Sequence, residues 1–341
     1  MPITPLPGNV RFRAFQTVPE TAFGTPVTPT TRRHPWRFAP TVDPHWTDPD
    51  VDTGSLGHAL PPYRTAIDVT GTSTGPLAFD DIPTLMAALY KPITPSAAGA
   101  AITWLCLPAE LTQDNFQPFT AEWGDEVAAD QFRYYSGVLE QLALTFPEDL
   151  GPVVAAANWR FAAVDYPHAM SALTVDTAPI WVYGADTTLA LDSTAGGIGG
   201  TVLAKTLHGA SVTIAQALDV KRFMDGAATR FAAQGYGRGL RTTEATFKLA
   251  KSAAALTEAA NWLNAAATKR FLSLKTISPT LIPTTAVPYT SELRFAGYWF
   301  VRTEDTAGAS NSAISLVCRS VYDPTLTYNT WWNAICARAA L

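Results

Sequence analysis

A chain of 341 residues, 47% hydrophobic and only 16% charged, holds enough apolar content for two cores of ordinary size, which excludes a globally disordered protein. Its formal net charge is −5, and no apolar run reaches the roughly 18 to 20 residues that a membrane-spanning helix needs. The opening MPITPLPGNVRFR has no basic segment followed by an apolar one, so the expectation is a protein made and kept in the cytoplasm, without membrane insertion.

The small total conceals an asymmetry. Residues 1–200 carry 9 Lys and Arg against 21 Asp and Glu, a net of −12, whereas 201–341 carry 15 against 8, a net of +7. Unlike halves can simply be solvated faces, or they can meet head to tail between copies, which favours rings or stacks over a closed two-fold dimer.

In chain order, the first thirty-odd residues hold Pro2, Pro5, Pro7, Pro19, Pro26 and Pro29 among many threonines, with a short alternating piece at 10–15. Proline removes backbone donors, so this reads as an arm with an edge strand. A strand over 35–44 precedes a loop over 45–62 rich in Asp, Pro and Gly. At 65–90, Ile67 and Val69 alternate with polar neighbours, a turn follows at 71–76, and a helix opens at Asp80 and Asp81, carboxylates suited to its free N–H groups. Ile82, Leu85, Met86 and Leu89 form its expected buried stripe. Strands follow at 102–107, 119–123, 132–146 and 153–163, and 163–179 reads as a linker between domains.

The second half repeats the plan. A strand at 187–191 leads to a glycine-rich turn at 196–200, a strand at 212–220 and a loop at 219–239. A strand at 241–250 then feeds a helix striped by Leu256, Ala259, Ala260 and Leu263. Strands at 271–277, 293–302 and 313–321 complete it, and a short C-terminal element at 329–340 carries Trp331, Trp332, Ile335 and Cys336. Landmarks fall in the same order in both halves. Gly24-Thr25 answers Gly200-Thr201, Trp36 answers Val212 and Asp68 answers Glu244, each 176 residues apart; Tyr90 answers Trp262 at 172, and Leu144 answers Trp299 at 155. The expected domains are 1–170, including an N-terminal arm over 1–34, and 171–341.

No motif asks for chemistry. There is no phosphate loop, nucleophile elbow or His-Glu-x-x-His, and the glycines at 196–200 and 235–239 lack the spacing of a dinucleotide site. Asp48, Asp50 and Asp52 alternate as calcium ligands do, yet Thr53 stands where that loop needs Gly and Ala59 where it needs Glu, so a solvated loop is the better reading. His45 and His58 add no ligand spacing, and His34, His168 and His208 stand apart from any nucleophile in sequence. Cys106, Cys318 and Cys336 read as buried free thiols. No catalytic residue, cofactor or metal is expected. The candidate contacts between copies are Asp48, Asp50 and Asp52 in the first long loop, Lys221, Arg222, Arg230 and Arg238 in the second, and Trp331 and Trp332 near the C-terminus.

Several segments, in order, resemble the tail tube (major tail) proteins of long-tailed bacteriophages. Glu20 with Gly24-Thr25-Pro26-Val27-Thr28-Pro29-Thr30 is similar to that family's opening, and Gly75-Pro76-Leu77-Ala78-Phe79-Asp80-Asp81-Ile82-Pro83 resembles its strand-to-helix junction. Phe119 to Asp125 with Tyr134 to Phe146 resembles its paired strands, and Pro179 to Thr201 the start of its second half. The resemblance implies a mainly β (α+β) fold of two tandem β-sandwich or half-barrel domains, each with one flanking helix, with the arm and long inter-strand loops. It implies no catalytic residue. It implies homo-oligomeric rings with six domains apiece, three chains in the duplicated form, stacked into a conduit in the virion tail and joined by loops that reach the adjacent ring. The implied partners are a tape-measure protein, a tail terminator, distal tail or baseplate proteins, and viral DNA passing without sequence-specific binding. A lumen for sliding DNA should be neutral to acidic, a lining the acidic half could supply. The competing expectation is a two-domain β-sandwich that binds carbohydrate or a receptor, or decorates a surface, for which ten tryptophans would serve as platforms.

Overall fold

The computed structural model describes residues 13–30, 33–50, 60–112, 114–125, 130–174, 176–224, 231–263, 268–305 and 313–341. The fold is mainly β, with antiparallel strands and two short helices. The first half contains β1 (Arg13–Pro19), β2 (Arg33–His34), β3 (Arg37–Thr47), β4 (Tyr63–Pro76), α1 (Ile82–Leu89), β5 (Pro95–Ala98), β6 (Ala101–Cys106), β7 (Phe119–Asp125), β8 (Asp130–Phe146), β9 (Val154–Phe161) and β10 (Ala163–Asp165). The second contains β11 (Thr187–Asp192), β12 (Leu207–Lys221), β13 (Gly235–Ala250), α2 (Ala253–Asn261), β14 (Arg270–Leu281), β15 (Pro288–Asp305), β16 (Ala313–Val321) and β17 (Thr330–Cys336).

One wiring scheme occurs twice. β1 pairs with β7, β3 with β4, β4 with β9, β7 with β8 and β8 with β9. In the same order β11 pairs with β14, β12 with β13, β13 with β16, β14 with β15 and β15 with β16. In each half a long strand serves two layers. β8 pairs with β7 up to Gly137 and with β9 from Val138, and β15 pairs with β14 up to Gly297 and with β16 from Ala296. Both changeovers hold a glycine with no room for a side chain. A Cβ at Gly137 would lie 2.4 Å from the Phe161 ring, and one at Gly297 would lie 2.6 Å from the Arg319 carbonyl. The spacing of the halves is not uniform. Val42 lies opposite Val69 and Val212 opposite Ala245, so if Asp68 answers Glu244, Val212 answers Val42, at 212 − 42 = 170, and not Trp36.

The halves are stitched into one sheet at two places. β12 lies along β8, with Ile214 opposite Leu142 and Val212 opposite Leu144. β17 lies between β15 and β6, so the C-terminal element is a central strand, with Trp332 facing Leu293 on one side and Cys106 on the other. Alternation explains its placement: Thr330, Trp332, Ala334 and Cys336 are buried and the intervening residues are not fully so. The stretch expected as a linker contributes β10 to β8 in its first residues; beyond it, His168 N–H donates to the Gln131 carbonyl.

The helices depart from their expected stripes. α1 is buried on all sides, every residue from Ile82 to Leu89, packed against β8 and β6 of its own half and β17 of the other. α2 buries only Ala255 and Ala259; Leu256, Ala260 and Leu263, expected inside, are exposed. Asp81 does not cap α1 with its side chain and pairs with His34 instead. The three cysteines are free and buried, and burial pushes the Cys106 thiol up to about 12.

Candidate assembly edges and inner face

The strands in the order β3, β4, β9, β8, β12, β13, β16, β15 form a continuous layer. One face of it carries the core, through Val69, Trp159, Leu142, Val212, Phe247 and Leu316. Period two sends the alternate residues to the opposite face. There Thr70, Thr72 and Thr74 of β4 stand beside Ala156, Asn158 and Arg160 of β9, then Ala143 and Thr145 of β8, Ser211 and Thr213 of β12, Thr242, Glu244 and Thr246 of β13, and Ser315 and Val317 of β16. This is a surface of hydroxyls, amides and methyls. Most of its charges are paired: Arg160 with Glu140 at 3.2 Å, Lys248 with Glu148 at 2.8 Å, Arg319 with Glu244 at 2.9 Å, and Asp68 with both Arg222 and His45, while Arg37 and Asp43 of β3 add one charge of each sign. These pairings leave the face close to neutral.

Among the described residues, both ends of the layer are open in the chain. β3 pairs only with β4 among the layer strands, and β15 has no second neighbour beyond the end of its pairing with β14 at Gly297. Pro40 and Pro44 in β3 lack N–H groups and stand an even number of residues apart, so both gaps fall on the edge away from β4, where no ladder bond is lost. Apolar side chains crowd near both ends: Val42, Trp46 and Tyr63 by β3 and β4, Phe300 and Val301 on β15, and Trp262 and Leu263 after α2.

The described ends of the connection between β12 and β13 bond to the first half. Arg222 donates to the Ile67 carbonyl at 3.0 Å, Ile67 N–H donates to the Phe231 carbonyl at 2.9 Å, and Ala233 N–H donates to the Ala162 carbonyl at 3.1 Å. Arg238 donates to the Tyr90 carbonyl and lies 4.1 Å over the Phe116 ring. Burial, with Arg241 beside it, pulls the Arg238 guanidinium down to about 10. Of the contacts expected between copies, Arg222 and Arg238 thus join halves of one chain. Lys221 pairs with Asp219 on its own strand. Asp48 and Asp50 are exposed after β3, while Asp52, His58 and Arg230 lie outside the described residues. Trp331 is half-buried under Arg294 at 4.5 Å, and Trp332 is interior at 1% exposure.

Two polar clusters escaped the sequence reading. Glu20 accepts from Ser136 N–H at 2.6 Å, Ser136 Oγ at 2.8 Å and Thr120 Oγ1 at 2.8 Å, tying the end of β1 to β7 and to the changeover of β8. Ser136 has φ of 53°, in the left-handed region that few side chains adopt, and its hydroxyl also accepts from Gly24 N–H at 2.6 Å. The Glu and Gly of the opening motif were the available signal. His34, which stands apart from nucleophiles in sequence, lies between Thr17 Oγ1 at 2.7 Å from Nε2 and Asp81 at 3.0 Å from Nδ1. All three are buried, at 3% exposure or less, so a substrate has no approach and the cluster fastens β1, β2 and α1.

A family model described as phage tail tube protein matches residues 13–301, from β1 into β15. The chain belongs to the phage tail tube protein family. No curated protein matches it. Membership makes this a structural protein of a bacteriophage tail. For a tail tube protein the open strand edges and the hydroxyl-rich face are the features that need explaining. Among the described residues, no helix is long and apolar enough to cross a membrane, and no three His, Cys, Asp or Glu side chains gather as metal ligands.

Proposed function

We propose that this chain is the major tail tube subunit, and that three copies close head to tail into a pseudo-sixfold ring whose stacks form the conduit for the genome. The junction of β8 with β12 inside the chain carries this reading. β15 is wired as β8 is, and β3 as β12 is, so the open edge of β15 in one copy and the open edge of β3 in the next are the two sides of the same junction made between chains. Each chain then supplies two modules, 1–170 and 171–341, and 3 × 2 = 6 closes the ring without leaving a free edge to aggregate. The near-neutral face of the layer becomes the wall of the lumen, where DNA slides without phosphate grip. The subunit carries no catalytic activity, is made in the host cytoplasm and ends in the virion, with the tape-measure protein inside the growing tube and the terminator and distal tail proteins at its ends.

The carbohydrate-binding reading is weaker, since five of the ten tryptophans, Trp36, Trp104, Trp159, Trp299 and Trp332, are core residues, although Trp46 and Trp262 are exposed. Mass photometry with negative-stain electron microscopy tests the proposal. The expected particle is a ring of three chains, 3 × 36.6 kDa or about 110 kDa, stacking into tubes as concentration rises. Rings of six chains would refute the two-module subunit.

A further inference from the structure

α1 and α2 each follow a strand of the central layer, yet one is sealed and the other open. The residue after α1, Tyr90, is 1% exposed, and its ring lies 4.8 Å beneath the Arg241 guanidinium. Arg241 belongs to β13, in the other half of the chain. Trp262 occupies the same place after α2, and it is 36% exposed, with Leu263 at 70% and Leu256 at 47%. An aromatic and two leucines left partly in water, one leucine on α2 and the other two residues at its C-terminal end, is the opposite of what burial of apolar side chains favours.

We infer that the open face at the end of α2 is buried by a second copy of this chain, with Trp262 as the anchor and residues 60–65, which lead into β4, as its seat. The occupant follows from the internal junction. Tyr90 is covered by the first residues of β13; β4 is wired as β13 is, second strand of its hairpin and partner of β9 as β13 is of β16. The seat is itself unfinished: Tyr63 is 53% exposed and Leu60 47%, beside Arg64, whose guanidinium lies 4.7 Å over the Phe231 ring of its own chain. Both patches also adjoin the two open edges. Trp262 Nε1 donates to the carbonyl of Phe300 on β15 at 3.2 Å, and Tyr63 pairs with Thr47 at the end of β3. The inference rests on the ring reading and extends it from the inner layer to the outer one. A large aromatic entering a pocket at the centre of an interface is the usual energetic hot spot.

The experiment replaces Trp262 with the photoreactive benzoylphenylalanine, mixes nitrogen-15-labelled and unlabelled chains, irradiates assembled rings and sequences the cross-links. Isotopically mixed links from position 262 to residues 60–65 are expected. Rings whose links fall elsewhere, or only within one chain, overturn the inference and leave the ring intact; absence of rings at every concentration overturns both. A second variant, Trp262→Glu, should raise the concentration needed for assembly by roughly tenfold or more while leaving the melting of the monomer unchanged. Assembly at the wild-type concentration would refute the anchor.

Discussion

Glu20 shows what a single side chain contributes. It is 4% exposed, and burial raises its pKa above the ordinary 4.5 despite three donors that favour the carboxylate. Between 4.5 and that raised value the folded chain holds a proton that the unfolded chain has released, so stability declines as pH rises through the window. Glu20→Gln should flatten that decline. Its amide oxygen can accept from Ser136 N–H and Thr120 Oγ1, and its amide nitrogen can donate to Ser136 Oγ. Glu20→Ala, which strands all three donors, should cost about 3 kcal/mol. Urea melts of the wild type and both variants from about pH 4 to about pH 8 decide it, and parallel profiles for wild type and Glu20→Gln would sink the assignment. Glu20 was visible in the sequence as part of a motif; its partner Ser136, 116 residues on, was not, because nothing local marks a left-handed serine inside a strand.

Among the elements, strands declared themselves by alternation and β16 was expected at its observed bounds. Failures came where burial depends on chain far away. α1 is sealed between β8 and β6 of its own half and β17 of the other, and the buried face of β17 gains meaning only between β15 and β6, distant in sequence. Proline separates an open strand from a closed one. Val42 shares the outward edge with Pro40 and Pro44, so Val42→Pro should leave the monomer folded while removing a donor the neighbouring copy needs. Ala334 in β17 is paired on both sides, with Ser291 and with Trp104, so Ala334→Pro should cost about 3 kcal/mol or more and unfold the junction of the halves. Circular dichroism melts with mass photometry separate the two: a cooperative, monomeric Val42→Pro protein against a destabilised Ala334→Pro protein. A Val42→Pro protein that still forms rings would remove β3 from the interface.

For the whole molecule, the duplication was legible because order survives when identity does not, whereas net charge per half says nothing of which carboxylates are paired. The acidic half presents Asp68, Glu140 and Glu148 to the central face, and with Glu244 each of them faces a cation, two of these, Arg222 and Lys248, contributed across the halves. Pairing matters for a conduit, since an unpaired lysine would hold phosphates through counterion release and an unpaired carboxylate would repel them. Replacing Thr72 and Thr246, neutral residues on that face, by lysine tests which surface DNA meets. In a ring of three chains the double variant adds 3 × 2 = 6 positive charges to one closed wall. Its tubes should retain short duplex DNA with an affinity that falls steeply with salt, a log–log slope of about −0.9 for each phosphate engaged, while wild-type tubes retain little. Binding that electron microscopy locates on the outer surface, or no gain in binding at low salt, would show that the hydroxyl face does not line the channel.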